Sequence, residues 1–268
     1  DARKGNRPSF AMGAKPDEAR ESFNNFVKYA KEHYPKVESG VFQADMKVEL
    51  LNDGPITILL DSDKLFSING GSIMRLMCEI SQSMGENCYF VVDESTNKAI
   101  VIDPGENGKK LNKKIDDNNL EVVAICLTHC HFDHIGAVAE VKAHTNAPVF
   151  ICSGDEKIAE NPVYNLSSRF TEPITIEYDR VLQDGEKFAF GNLEFETIIT
   201  PGHTPGCGCF YFEREGVLFS GDTLFYMSYG RTDFPMGSSV QITKSIKEKL
   251  FVLPDYVKVY SGHGQLQK

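Results

Sequence analysis

The sequence predicts an α+β fold for most of this chain, and two observations carry that expectation. Short apolar runs rich in Val, Ile, Phe and Tyr recur from residue 88 onward and alternate with helix-like stretches. The residues with chemistry, five His and two Asp, fall in loops that follow such runs or beside glycine turns. Reactive groups on loops held by a rigid sheet are the usual arrangement.

Taken in order, strands are expected at 88–92, 99–102, 122–127, 148–152, 194–199, 208–212, 217–220 and 257–260. Helices are expected at 108–117, 136–145, 154–160 and 239–250. The first 66 residues have their own organisation. Ala19, Phe23, Phe26, Val27 and Ala30 recur at helical spacing within 15–33, and Pro16 sits near the start, where proline is favoured. Strands are expected at 44–51 and 56–60, around the turn formers Asn52-Asp53-Gly54-Pro55. Residues 67–72, Ser-Ile-Asn-Gly-Gly-Ser, read as a linker.

The run Thr128-His129-Cys130-His131-Phe132-Asp133-His134-Ile135-Gly136 places three imidazoles and a carboxylate within six residues. It follows an apolar strand-like segment. An extended chain would point His129, His131 and Asp133 to one side with period two. His134 would then sit where the chain turns into a helix starting near Gly136. Neutral imidazole and carboxylate suit zinc, iron or manganese. Further candidate ligands are His203 in Thr-Pro-Gly-His-Thr-Pro-Gly, Asp222 in Ser-Gly-Asp-Thr and His263 in Ser-Gly-His-Gly. Together they suffice for two adjacent metals with one bridging carboxylate. A set of plain core histidines is the competing reading, but unpaired buried polar groups are costly. His33 and His144 lie in polar stretches and read as surface residues.

Composition bounds the rest. The 268 residues are 41% hydrophobic and 25% charged, ordinary for a globular protein. No apolar run approaches membrane-spanning length, and no signal-peptide pattern opens the chain. The net charge of −10 argues against broad nonspecific binding to nucleic acid. Seven cysteines, an odd number lying mostly in apolar stretches, read as reduced thiols and a cytoplasmic location. Cys207 and Cys209 read as packing residues, and Cys130 should point away from any metal.

The motifs HxHxDH, TPGHTPG, SGDTLF and GHG, in that order, resemble the metallo-β-lactamase superfamily. Ile102-Asp103-Pro104-Gly105 and Gly230-Arg231-Thr232-Asp233-Phe234-Pro235 resemble its glyoxalase II-like branch. The resemblance spans about residues 73–264 and implies an αββα sandwich. It implies that His129, His131 and His203 hold one metal, that Asp133, His134 and His263 hold a second, and that Asp222 bridges them. The metals would be two zinc ions or a mixture of zinc, iron and manganese. Asp133 and Asp222 would be catalytic, Asp103 would support the ligand loops, and Arg231 would meet an anionic substrate or form a buried ion pair with a carboxylate such as Asp233. The implied reaction is hydrolysis of a small acyl thioester such as S-lactoylglutathione. Two-metal sites lower the pKa of a bound water to about 7, so no nucleophilic Ser or Cys is required. Only five residues follow His263, whereas glyoxalase II carries a helical glutathione-binding domain there. The alternative of the same fold is a glutathione persulfide dioxygenase with a single Fe(II) on His129, His203 and Asp222.

The N-terminal runs Asp1-Ala2-Arg3-Lys4-Gly5-Asn6-Arg7-Pro8-Ser9-Phe10, Ala44-Asp45-Met46-Lys47-Val48 and Asn52-Asp53-Gly54-Pro55-Ile56-Thr57 resemble the C-terminal part of D-aminoacyl-tRNA deacylase. The resemblance implies a chirality-checking motif at Asn52, Gly54, Pro55 and Thr57, with a cis Gly54–Pro55 bond of the kind that proline permits. The upstream Ser-Gln-x-Thr run of that family does not occur in this sequence. The expected organisation is a partial deacylase-like domain at 1–66, a linker at 67–72 and a hydrolase domain at 73–268. A complete deacylase-like part would bind tRNA and pair two copies into a homodimer.

Overall fold

The computed structural model describes residues 74–264, together with residues 21, 24, 25, 27–29, 31 and 32. The chain divides into two compact units, Asp1–Gly54 and Pro55–Lys268. In the first, the described residues are helical and fall inside the helix expected over 15–33. The strands at 44–51 and 56–60, the 67–72 linker and the motif at Asn52, Gly54, Pro55 and Thr57 lie outside the described residues.

The second unit is built on two sheets. The first has six strands in sequence order: β1 (Met74–Ile80), β2 (Asn87–Asp93), β3 (Lys98–Ile102), β4 (Glu121–Cys126), β5 (Val149–Cys152) and β6 (Arg180–Leu182). The pairs β1–β2 and β2–β3 are antiparallel, and β3 through β6 run parallel. The second sheet has the order β13-β10-β9-β8-β7. Its strands are β7 (Lys187–Phe190), β8 (Leu193–Ile199), β9 (Gly208–Phe212), β10 (Val217–Gly221) and β13 (Lys258–Ser261). A short hairpin, β11 (Leu224–Phe225) with β12 (Ser228–Tyr229), leaves the end of β10.

Alternation along the strands divides the interior into three layers. On β2, Phe90 and Val92 face the helices α1 (Gly108–Asp117) and α3 (Val138–Thr145) through Leu111, Ile115, Val138 and Val141. Tyr89 and Val91 face the other way, into the layer between the sheets, where Phe195, Phe210, Phe212 and Phe219 meet. Beneath the second sheet, Cys209, Tyr211 and Leu218 pack on Ile242 of α6 (Ser239–Ser245) and on Ile246 and Leu250 of the π-helical turn that continues it. The result is the helix–sheet–sheet–helix order of an αββα sandwich. Each wholly buried Phe of the middle layer contributes about 1.5–3 kcal/mol.

The eight expected strands all form, with ends shifted by a residue or so. Beyond the expectation, β1, β6, β7, the β11–β12 hairpin and the short helix α5 (Ser167–Phe170) are present. The helix expected at 136–145 forms as α3, starting two residues later, and is preceded by an additional short helix, α2 (Phe132–Ile135), separated from it by Gly136-Ala137. That expected at 154–160 shrinks to α4 (Glu156–Ala159). All seven cysteines are free, and Cys130 lies in the helix-side core, turned away from its neighbouring histidines. His144 is a surface residue whose Nε2 lies 2.8 Å from Asp116 Oδ1. Among the described residues no helix is long and apolar enough to cross a membrane.

Candidate metal centre

The site forms where the C-terminal ends of β4, β8 and β10 and the segment after β13 converge. β4 ends at Cys126, and Thr128 to His131 continue without helical structure, so the rings of His129 and His131 stand 4.9 Å apart. The expectation of an extended chain through Asp133 is corrected here. Helix α2 begins at Phe132, so Asp133 and His134 are carried on a helical turn and not at its entrance. That turn brings His134 under His129, with ring centroids 4.1 Å apart.

His203 arrives on the loop after β8. Gly202 there has φ 148, and a Cβ would lie 2.3 Å from the backbone nitrogen of Ile242, so only glycine lets this loop rest against α6. Asp222 follows β10, and His263 follows β13, held by a bridge to Glu86.

All seven expected ligand residues meet in one cluster. His131 Nδ1 lies 2.9 Å from His203 Nε2. His134 Nε2 lies 3.2 Å from His263 Nε2, and His263 Nε2 lies 3.3 Å from Asp133 Oδ2. Asp222 stands between the two groups: its Oδ2 is 3.6 Å from both His203 Nε2 and His263 Nε2, and its Oδ1 is 3.5 Å from His134 Nε2. Three overlapping sets have ligand atoms close enough to share an ion: His129-His131-His203, His129-His134-Asp222 and Asp133-His134-His263.

The polar atoms fit cations. Nε2 of His129 and Oδ1 of Asp222 are buried with no hydrogen-bond partner among the described residues, which is costly unless a positive ion meets them. The outer atoms are occupied in the way that fixes ligand orientation. His134 Nδ1 lies 3.0 Å from Asp103 Oδ2. His203 Nδ1 lies 2.7 Å from the carbonyl oxygen of Arg231. Asp103 is itself pinned, accepting from Thr128 N–H at 2.7 Å and from the Thr128 hydroxyl at 2.6 Å.

Electrostatics agree with this division. Burial, then the neighbouring imidazoles, hold His129 and His131 well below the ordinary histidine pKa, so both are neutral and able to ligate. Burial would also depress His134, but Asp222, Asp103 and Asp133 outweigh it and raise its pKa. Burial works against ionisation of Asp133, but the hydrogen bond from His263 and the nearby imidazoles hold its carboxyl below the usual carboxylate range.

Arg231 is exposed, and its guanidinium donates twice to Asp233, at 2.7 and 2.6 Å, while lying 4.1 Å from the Phe234 ring centroid. The expected ion pair is present but is not buried. Phe234 faces His131 at 5.6 Å, and Phe225 of the hairpin faces His263 at 6.3 Å.

Sequence reasoning overlooked two buried carboxyls beside the site. Glu86 has both oxygens unpartnered among the described residues, and burial pushes its pKa well above the ordinary value. Asp155 accepts from the backbone N–H groups of Cys130 and Gly206, each at 2.8 Å. Neither sits in a His-rich motif, and only the long-range pairing reveals them.

Residues 84–263 match the family model of the metallo-beta-lactamase superfamily. The chain belongs to that superfamily. Residues 1–61 match the model of the D-Tyr-tRNA(Tyr) deacylase family. Among curated relatives, the chain is 36% identical over 180 residues to the "Probable metallo-hydrolase YqgX" of Bacillus subtilis, covering 66% of this chain and 84% of that protein. It is 35% identical over 182 residues to the hydroxyacylglutathione hydrolase GloC of Haemophilus influenzae, covering 67% of this chain and 85% of that one. The crystal structure of TTHA1623 in a di-iron-bound form superposes with a TM-score of 0.62 at 31% identity, over 70% of this chain and 92% of that one. A metallo-hydrolase with a His/Asp cluster suited to a dinuclear centre is therefore the activity class of the second unit.

Proposed function

We propose that the second unit hydrolyses acyl thioesters, with S-lactoylglutathione as the representative substrate, at a two-metal centre. The observation that carries this reading is Asp222, whose two oxygens lie within 3.6 Å of imidazoles from both ligand groups. The likeness to the H. influenzae hydroxyacylglutathione hydrolase supports the substrate class. His129, His131 and His203 would hold one cation, Asp133, His134 and His263 the other, and Asp222 both. Two zinc ions, or zinc mixed with iron or manganese, suit these ligands. When bound, such ions act as Lewis acids toward a carbonyl oxygen and lower the pKa of bound water to about 7.

The chain's own residues do the rest. Asp222 fixes the spacing of the ligand groups. Asp133, held ionised, accepts from and orients the attacking water. Asp103 and the Arg231 carbonyl keep His134 and His203 aimed inward. The rings of Phe225 and Phe234 lie edge-on to His263 and His131 and add apolar surface beside the site. A thiolate leaves without strong general acid help, so the reaction needs no dedicated proton donor. Arg231 binds an anionic substrate only by sharing a guanidinium already paired with Asp233.

Hydrolysis of S-lactoylglutathione, followed by thiol release and lost on chelation, is the test. Rapid iron-dependent oxygen uptake with glutathione persulfide would instead establish the single-iron dioxygenase. The deacylase-family match at residues 1–61 favours a second role for the first unit, on D-aminoacyl-tRNA. Free cysteines throughout favour a reducing compartment such as the cytoplasm.

A further inference from the structure

Asp155 occupies the N-cap position of α4 without capping it: its side chain makes no hydrogen bond to that helix. An Asp at this position ordinarily accepts from the helix's own first amides. Here the carboxylate turns inward, is completely buried, and joins two other segments. Oδ2 accepts from the Cys130 N–H and Oδ1 from the Gly206 N–H, both at 2.8 Å. Cys130 lies between His129 and His131, and Gly206 lies three positions after His203. One carboxylate thus ties together the two loops that carry His129, His131 and His203.

The surroundings leave this clamp little freedom. A Cβ on Gly206 would stand 2.3 Å from the Asp155 nitrogen, so the two backbones touch. Gly208 N–H donates to Thr128 O at 2.8 Å, a second tie between the same loops. Helix α2, which carries Asp133 and His134, and the His263 segment make no such bond to Asp155 among the described residues.

We propose that Asp155 is a positioning residue that sets the separation of the two loops forming the His129-His131-His203 site before any metal arrives. The proposal rests on the metal-site reading above and adds a prediction that reading does not make. Loss of the clamp weakens one metal site and spares the other. Loss of an outer-shell partner typically lowers metal affinity by roughly 10–100-fold.

The test is titration of metal-free Asp155→Asn and wild-type protein with Co(II), read by the visible ligand-field bands. Wild type should fill two sites. The variant should fill the Asp133-His134-His263 site normally and lose affinity roughly 10–100-fold at the other. A variant that binds both equivalents with wild-type affinity overturns the proposal, and so does one that weakens both equally. Wild type that takes up no Co(II) overturns the metal-site reading itself. A second measurement on metal-free wild type needs no variant and decides the matter if Asp155→Asn does not fold. The Cys130 and Gly206 amides should exchange hydrogen as slowly as the strands flanking them. Fast exchange there without metal overturns the proposal.

Discussion

Gly262 precedes the last histidine, and a Cβ there would stand 2.4 Å from Asp222 Oδ1, 2.8 Å from His134 Cε1 and 3.1 Å from the Gly221 carbonyl carbon. Carbon and oxygen in ordinary contact need about 1 Å more than the shortest of these. Gly262→Ala therefore forces the Asp222 carboxylate aside by a distance several times the roughly 0.2 Å tolerance of a metal–ligand bond. Overpacking of this kind costs about 1–3 kcal/mol. Relieved by surrendering metal, that cost is roughly a 5- to 150-fold loss of affinity. The fold should survive, because the two shortest contacts are to side-chain atoms of Asp222 and His134 and the nearest strand backbone atom is 3.1 Å away. Calorimetric metal titration of the metal-free variant, beside its thermal melt, reads both quantities. Wild-type affinity for two equivalents would refute the placement of Asp222 between the ligand groups.

Asp222→Ala should abolish both two-metal binding and thioester hydrolysis, and retention of full turnover would remove its bridging role. Asp103→Asn faces an amide toward donors of Thr128 and His134, so metal content should fall roughly 10–100-fold in affinity terms while the far-ultraviolet dichroism is kept. Arg231→Ala should leave the melting temperature unchanged, since its pair with Asp233 is exposed, and should raise KM without lowering kcat if the guanidinium meets substrate. Burial raises the Asp155 carboxyl to about 6 in the metal-free protein, above its usual 3.8. The folded state then holds a proton that the unfolded chain has released. That contribution to stability is full below about pH 4 and is lost as pH rises to about 6, at about 1.4 kcal/mol per unit. Urea unfolding in chelator measures it as the difference between wild type and Asp155→Asn, which cancels the other titrating groups; a difference that grows in favour of wild type as pH rises over that window would contradict the assignment.

The legible parts of this sequence were those whose signal is local. The strands at 88–92 and 208–212 are continuous apolar runs because they are buried on both faces, and no turn former interrupts them. β1 was missed because its residues are mostly half-buried and Arg75 and Glu79 interrupt the apolar pattern. β7 was missed because it is a four-residue edge strand that alternates exposed and half-buried residues. The ligands were legible because His and Asp at short spacing have few other uses. Asp155 was not, since its partners lie 25 and 51 residues away and its own segment reads as an ordinary helix start. The placement of Asp133 on a helical turn was hidden for a similar reason: nothing between His131 and Gly136 marks a helix start by a side-chain cap.

Seven side chains converge as a candidate two-metal centre. Metal analysis of the protein purified without chelator tests it most directly, counting ions per chain by mass spectrometry or atomic emission. Close to two transition-metal ions per chain are expected, falling below two in Asp222→Ala. One ion per chain, unchanged by loss of Asp133 or His263, would contradict it.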